Sequence, residues 1–461
     1  GALTGAAGGA PCGDLVRVSL EISAGRVAAA SFEAEGCAAS RAAGAAVAEL
    51  AEGGSVLDAA LIGRDEVARE LGGLSPQGAH AADLAADALH RALAAAASGD
   101  LTIARPPATG ERTLVAISGG VDSAVAALLE RERGADVVAV TLKLWRDRRT
   151  DGERSCCSPE AVIGARALAH SLGFPHLMLD LEETFRSTVV ERFVSGYRAG
   201  RTPNPCVVCN GEVRIAAMVA LADRLGASSL ATGHYARIVD DGAGPLLAPA
   251  ADPAKDQSYM LAALAPELVG RLRFPLAELR KPEVREIAAR HGLAVARKPE
   301  SQDLCFLAGE GKRSFLRRHG GLADHEGAIV DRAGRRLGRH RGHHHFTVGQ
   351  RRGIGLGGPE PLFVLATDAE RNEVTVGTRA ELATRAVAVR DATLRRDAST
   401  VDRVRLRYHA KEIGCRVAEP AAAGGHERLT LRLDEPFAGA APGQAACLMA
   451  GEMIVGHATI A

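Results

Sequence analysis

Aromatic side chains are scarce in this chain of 461 residues, which holds one Trp, four Tyr and ten Phe, 3% in all. Alanine and glycine fill the space. With 47% hydrophobic and 24% charged residues, that reads as the codon bias of a GC-rich genome rather than as disorder. No apolar run reaches about 18 residues, so no transmembrane helix and no membrane partner are expected. The first residues lack the basic start and apolar stretch of a signal peptide. A cytoplasmic location is expected, and there the nine cysteines read as metal ligands or redox-active thiols rather than structural disulfides. Lysine is missing from residues 1–105, which carry 7 Arg against 13 Asp and Glu, a balance of −6. Since the whole chain is formally neutral, the remainder carries +6. An acidic front and a mildly basic body suit a polyanionic partner for the body.

The length exceeds one compact core, and the patterns change three times along it. Residues 1–105 open with LVRVSLEI and GRVAAASFEAEG, short alternating runs, followed by Ala-rich amphipathic helices, a small α+β module. SGDLTIARPPATGERT reads as the linker, because Pro-Pro and Gly break regular structure. Over residues 106–312, buried-strand runs (TLVAI, DVVAVTLKLW, HLMLDL, SLATGHYAR) alternate with helices, which predicts a parallel, doubly wound α/β domain. Residues 313–380 are rich in Gly, Arg and His and contain a hairpin signal, FVLATDAERNEVTVG. Residues 381–461 repeat short strands and predict a small β-barrel. The expected fold class is therefore multidomain.

TLVAI-SGGVDS-AVAALLERERGA reads as strand, glycine turn, helix. Two glycines let the backbone approach an anion, while helix-start N–H groups and the Ser118 and Ser123 hydroxyls can hold phosphate oxygens at the positive end of the helix dipole. The GxxxxGK[ST] loop and its lysine are missing. SGGxDS instead resembles the PP-loop of ATP pyrophosphatases, which bind the pyrophosphate end of ATP and transfer AMP to a carbonyl oxygen. That resemblance implies a role for Asp122 through Mg2+.

Downstream lie Cys206 and Cys209 in TPNPCVVCN and Cys305 in SQDLCF, all in polar loops rich in Pro, Asn, Gln and Asp. Together with SCCSPE, ATGHYAR, KDQSYML, KPEVREIA, FTVGQRRGIGLGG and APGQAA, these strings closely resemble the tRNA-specific 2-thiouridylases (the MnmA family) from about residue 110 to 461. That family thiolates the wobble uridine of Lys, Glu and Gln tRNAs. The resemblance implies a PP-loop domain of the adenine nucleotide alpha hydrolase type, ATP contacts at Ala116, Ile117, Ser118, Gly119, Gly120, Val121, Asp122 and Ser123, and further ATP contacts at Leu142 and Gly233. Asn204, Pro205 and Cys206 would border the target base. His234, Lys255, Asp256, Gln257, Arg407, Tyr408 and Gln444 would touch tRNA. Cys305 takes the place of the persulfide-bearing cysteine and Cys209 that of its partner nucleophile, the two ending as a disulfide. A cysteine desulfurase or sulfur relay protein would supply the sulfur.

One position departs from the best-known form of the family, which has NPDxxC where this chain has NPCVVC. Cys206, Cys209 and Cys305 then suit a 4Fe–4S cluster with one open iron. The rival is a persulfide mechanism in which Cys206 is a spare or resolving thiol. Cys156 and Cys157, adjacent in sequence, read as structural, and Cys415 and Cys447 as core. The triplet His343–His345, flanked by Arg336, Arg339, Arg341, Arg351 and Arg352, reads as a phosphate-facing surface.

PCGDLVRVSLEI, SFEAEGCAASRAAGA and ARELGGLSPQGAHAADLAADAL resemble the IscU/NifU-type iron–sulfur scaffolds, which implies a zinc or iron site at Cys12, Asp14, Cys37 and His80. Ala81 stands where that family has its third cysteine. Two readings of the module stay open, sulfur or iron delivery and docking against a degenerate structural domain. For the whole chain the alternatives are another PP-loop ligase, or an iron–sulfur carrier with an ATP-gated site.

Overall fold

The computed structural model describes residues 2–9, 13–99, 102–107, 110–147, 158–299, 304–307, 310–357 and 360–461. They form two compact units, Gly1–Glu182 with Ala216–His234 and Arg271–Phe306, and Glu183–Ile215 with Tyr235–Gly270 and Leu307–Ala461.

The first unit begins with an antiparallel sheet of Leu3–Gly8, Leu15–Ser23 and Arg26–Glu35 in that spatial order. Alternation decides its faces: Val16, Val18 and Leu20 are fully buried. Ala24 and Gly25, both at positive φ, make the tight turn between the second and third strands. Leu3–Gly8 is a strand that its composition, LTGAAG, did not announce. Its Gly5 lies against the backbone of Ala88 and Ala92 where no Cβ fits. The partner is the helix Pro76–Ser98, capped by Ser75, whose hydroxyl accepts from Gly78 N at 3.2 Å.

That helix serves two neighbours, which is why it is buried on more than one face. Behind the small sheet, it also covers His176–Asp180, the edge strand of a five-stranded parallel sheet. The order there is Leu272–Arg273, Ser229–Ala231, Arg112–Ala116, Asp136–Lys143, His176–Asp180. Polar groups fasten the junction. His90 Nε2 donates to the Ile62 carbonyl at 2.9 Å, His170 Nε2 to the Ala60 carbonyl at 3.0 Å, and the backbone N–H of His176 to Ala60 at 3.1 Å. Arg166 reaches Asp87 at 3.2 Å, and Arg224 donates to the carbonyls of Ala96 and Ala97 at the helix C-terminus. The expected linker is itself pinned, with Ile103 buried and its N–H donating to Arg224 O at 3.0 Å.

The second unit contains two sheets. Four strands run Arg336–His340, Gly327–Val330, Glu373–Gly377, Phe363–Asp368 around a core of Ile329, Phe346, Ile354, Val364, Val374 and Val376. The other sheet closes into a six-stranded barrel, Ala383–Leu394, Gly424–Ala438, Ile413–Val417, Arg403–Arg405, Ala445–Ala450, Met453–Ile460 and back to Ala383–Leu394. Cys415 lies in its interior, while Cys447, between the core residues Ala446 and Leu448, is buried on the opposite face of its strand; burial pushes each thiol up to about 12. A hairpin, Arg237–Asp240 with Pro245–Ala248, extends this sheet by pairing Leu247 with Ile454. It interrupts the strand–helix alternation, which carried no sign of it.

Among the described residues one helix, Pro205–Arg224, is long and apolar enough to cross a bilayer, with 20 residues and mean hydropathy 1.4. Glu212 and Arg214 break its apolar run, and 56% of its most apolar window is buried in the protein.

Candidate active site

Strand Arg112–Ala116 delivers the chain into the glycine turn, and helix Val121–Glu132 receives it. Gly119 has φ +69°, a conformation that costs a glycine nothing, and Gly120 is the helix N-cap. Ser118 N–H donates to Ser123 Oγ at 3.1 Å, and that hydroxyl donates to Gly120 O at 3.0 Å, so the loop is pre-shaped by its own serines. Gly233 closes it from the side. A Cβ there would lie 2.8 Å from Ser123 N and 2.9 Å from the carbonyl carbon of Asp122. Leu142 is buried in the adjacent strand. His234 Nδ1 lies 2.8 Å from Thr232 Oγ1. Two lysines reach the loop from the segment 281–298: Lys281 Nζ sits 2.6 and 2.7 Å from the two oxygens of Asp122, and Lys298 Nζ donates to Gly119 O at 2.9 Å.

In the second unit, Asn204 is the N-cap of the helix that carries the CxxC pair, its Oδ1 accepting from Val207 N at 3.3 Å, and Pro205 is the first helical residue. Cys206 is half-buried. Burial pushes its thiol up, and the charge of Arg214 draws it partly back. Cys209 is buried and opens a π-helical stretch, Cys209–Arg214, an irregularity common at functional sites. The barrel clamps this segment. Gln444 Nε2 donates to Thr202 O at 2.8 Å, Thr202 N–H donates to Pro442 O at 2.8 Å, and Gly443 lies 3.1 Å from the Thr202 backbone at its would-be Cβ. Tyr259 Oη donates to Ala445 O at 2.8 Å, and its ring lies 6.0 Å from that of Tyr408. Burial raises the Tyr408 phenol, and the nearby Asp256 and Cys206 add to the rise. Thus Asn204, Pro205, Cys206, Tyr408 and Gln444 are brought together. Arg407 is exposed, beside an open cavity of about 530 Å³ shared with Arg379 and Phe437.

The chain matches four family descriptions in order: NifU-like N terminal domain over residues 1–98, tRNA methyl transferase HUP domain over 111–309, tRNA methyl transferase PRC-barrel domain over 313–378, and aminomethyltransferase beta-barrel domain over 385–460. A bifunctional protein NifU/MnmA of Rubrobacter xylanophilus is 48% identical over 99% of this chain and 93% of its own. This chain belongs to the NifU/MnmA family. A tRNA-specific 2-thiouridylase MnmA of Acidithiobacillus ferrooxidans is 42% identical over 75% of this chain and 97% of its own, and one from Rhodospirillum rubrum is 44% identical over 74% and 92%. Among solved structures, a 4-thiouridine synthetase–RNA complex with bound ATP is similar at a TM-score of 0.28 and 21% identity, covering 45% of this chain and 48% of that one.

Within this NifU/MnmA chain, Cys305 sits half-buried in a turn beside the buried Phe306, in the unit that holds the phosphate loop. Cys156 and Cys157 lie outside the described residues, as does Cys12. In the NifU-like module, Cys37 N–H donates to Asp14 Oδ1 at 2.7 Å, and its Sγ lies 3.6 Å from Asp14 Oδ2 and 3.3 Å from Ser40 Oγ. The Cys37 backbone N–H lowers the Asp14 carboxyl, with a smaller contribution from His80. Asp14 and Cys37 set a carboxylate beside a thiol, but among the described residues the His80 imidazole does not join them within the reach of one metal ion.

Two readings of single residues change. His343 and His344 are buried, and His343 is spent on Asn372 and the Arg198 carbonyl, so the triplet folds the PRC-barrel module rather than facing phosphate. Burial lowers His344 to about 4, which keeps it neutral. The arginines around it, Arg336, Arg339, Arg341, Arg351 and Arg352, are exposed as expected. Asp256 also faces inward: one oxygen accepts from Ala250 N and Ser258 N, the other from Ser258 Oγ and Arg405 at 2.7 Å. Its neighbours Lys255 and Gln257 are half-exposed, and Gln257 Oε1 accepts from Tyr235 N at 3.1 Å. Lys281, Lys298, Tyr259 and Arg405 were missed, although a scarcity of lysine marks the first two.

Proposed function

We propose that this protein carries out ATP-dependent 2-thiolation of the wobble uridine in Lys-, Glu- and Gln-type tRNAs. Membership in the NifU/MnmA family carries the reading, and the pre-shaped phosphate loop supports its ATP step. Loop N–H groups, the serine hydroxyls and the helix dipole hold the pyrophosphate end, and Mg2+ at Asp122 would offset its charge. Uracil O2 attacks the α-phosphorus, the bond to the β-phosphate oxygen breaks, and pyrophosphate leaves with the electron pair. O2 then departs as AMP when sulfur attacks C2. The TPNPC segment, clamped by Gln444, borders the base, and Tyr408, Arg407, Lys255, Gln257 and His234 contact the RNA.

Cys206, Cys209 and Cys305 would hold a 4Fe–4S cluster. Cys206 and Cys209 are one helical turn apart beside an N-cap, a spacing at which two thiolates share one face. Held by these three thiolates, such a cluster would supply the sulfur that replaces O2. The second reading runs the same reaction through a Cys305 persulfide and a disulfide with Cys209, and the burial that raises the Cys206 thiol favours it. The NifU-like module receives sulfur or iron from a desulfurase or relay protein.

Anaerobic incubation with ATP, a sulfur source and unmodified tRNA should yield 2-thiouridine and AMP. AMP without thiolated base points to another ligase, and the absence of AMP to a carrier. Anaerobically reconstituted protein should hold iron and sulfide, and Cys206→Ala should lose cluster and activity together. Full activity of iron-free protein supplied with persulfide selects the two-thiol route.

A further inference from the structure

The chain uses arginine for nearly every cation, with 50 arginines against six lysines. Two of those six, Lys281 and Lys298, touch the phosphate loop. Lysine at such a place is a compact point charge with three rotatable donors, which a planar guanidinium cannot imitate. Lys281 opens the helix Lys281–Arg290, whose start is fixed by Pro282 and by Glu283, which accepts from Arg280 N at 2.7 Å. The direction in which Lys281 leaves the backbone is therefore set before any ligand arrives. From the same helix Arg285 donates to Ala296 O at 2.8 Å and holds the stretch that ends in Lys298.

The pair is asymmetric. The Lys281 side chain is 10% exposed and that of Asp122 33%, so the carboxylate is the accessible partner. A buried ammonium is costly unless an anion compensates it. When Asp122 turns to Mg2+, the Lys281 ammonium stays at the loop facing the oxygens that arrive with the metal, which belong to the pyrophosphate end of the nucleotide. We propose that Lys281 is a pyrophosphate-binding residue of the adenylation step, held ready by Asp122 and exchanged onto the β- and γ-phosphate oxygens when Mg·ATP enters. Lys298, anchored on Gly119 O seven residues before Cys305, adds a second positive charge at the turn.

The inference rests on the ATP-using reading of the loop, and binding alone tests it without tRNA or a sulfur source. Lys281→Gln keeps a donor for Asp122 but removes the charge. Titration of the full-length protein with Mg-pyrophosphate should show at least about twentyfold weaker binding, the scale of one charge-assisted hydrogen bond. Binding of adenosine should not change. Lys281→Met, expected to lose pyrophosphate affinity equally, gives the second measurement. Wild-type pyrophosphate affinity in a folded Lys281→Gln protein overturns the proposal, as does parallel loss of adenosine and pyrophosphate binding, which marks a structural role. Failure of the wild-type protein to thiolate tRNA while pyrophosphate binding depends on Lys281 refutes the functional reading and leaves this one standing.

Discussion

A single atom decides the tightest residue-level contact at the loop. The Cβ of alanine at position 233 would press on backbone at Ser123 and Asp122, which cannot rotate away. Overpacking of this kind costs about 1–3 kcal/mol and here must be relieved by moving the loop. Gly233→Ala should lower ATP-dependent AMP release at least about tenfold in an otherwise folded protein, since 1.4 kcal/mol of misplacement is already tenfold. Asp256 makes the complementary case. It and Arg405 have side chains only 7% and 13% exposed, and Asp256→Asn leaves the guanidinium partly uncompensated. The expected loss is about 3 kcal/mol of unfolding free energy, read by urea titration. The family resemblance implies an ATP contact at Gly233 and an RNA contact along the whole run Lys255, Asp256 and Gln257, and it carries nothing about which of those three side chains is buried. Which way a side chain points depends on Arg405, 149 residues away. Lys281 escaped for the same reason, its partner being 159 residues distant.

At the scale of elements, the helix Pro76–Ser98 and the strand His176–Asp180 enclose three histidines, His90, His170 and His176, with ring centroids 5.4 and 6.3 Å from His90. Burial lowers all three, His176 to about 3, and Arg166 opposes a further charge on each, while Glu66 favours it only at His170. An unfolded chain takes up these protons near pH 6.5, and the folded chain does not. The stability they confer is therefore complete above pH 6.5 and is lost as pH falls from there toward 3. Between pH 7.5 and 5.5 each of the fully buried pair, His90 and His176, should cost about 1.4 kcal/mol, before most carboxylates titrate. Thermal unfolding should show a melting temperature that drops over this range. His176→Gln should flatten the drop, and an unchanged pH profile would refute the assignment. The periodicity of HAADLAADALHRALAAAA announced a helix. It did not announce two docking faces, because alanine is compatible with either burial or exposure and the histidines looked incidental. The barrel strands were legible for the opposite reason: alternating Val, Leu and Arg in DRVRLRYHA and ERLTLRLDEP leaves one face to bury. The hairpin Arg237–Asp240 with Pro245–Ala248 was not, since strand pairing with the distant Met453–Ile460 leaves no local trace.

For the whole molecule, the question is whether the NifU-like module is a detachable tool or part of the first unit's core. MnmA relatives covered to 97% of their own length match only 75% of this chain, so the thiolase body elsewhere does without such a module. Here the body has built on it. Leu89 and Leu93 are fully buried, the edge strand His176–Asp180 is covered by their helix, Ala60 accepts from the His176 backbone, and Arg224 is committed to the helix C-terminus. A module tethered by a free linker would leave those donors in water. Its removal should therefore uncover an edge strand, a known template for aggregation, together with apolar surface that water must then solvate. A variant lacking residues 1–98 should show a melting temperature lower by about 5 °C or more, and a larger soluble-aggregate fraction on size exclusion. If sulfur delivery requires the module to swing between partners, the same variant should keep full stability and lose only turnover with a protein sulfur donor. Loss of stability with turnover retained on inorganic sulfide assigns the module to the architecture of the first unit. Delivery from Cys37 must then proceed from a fixed position within that unit.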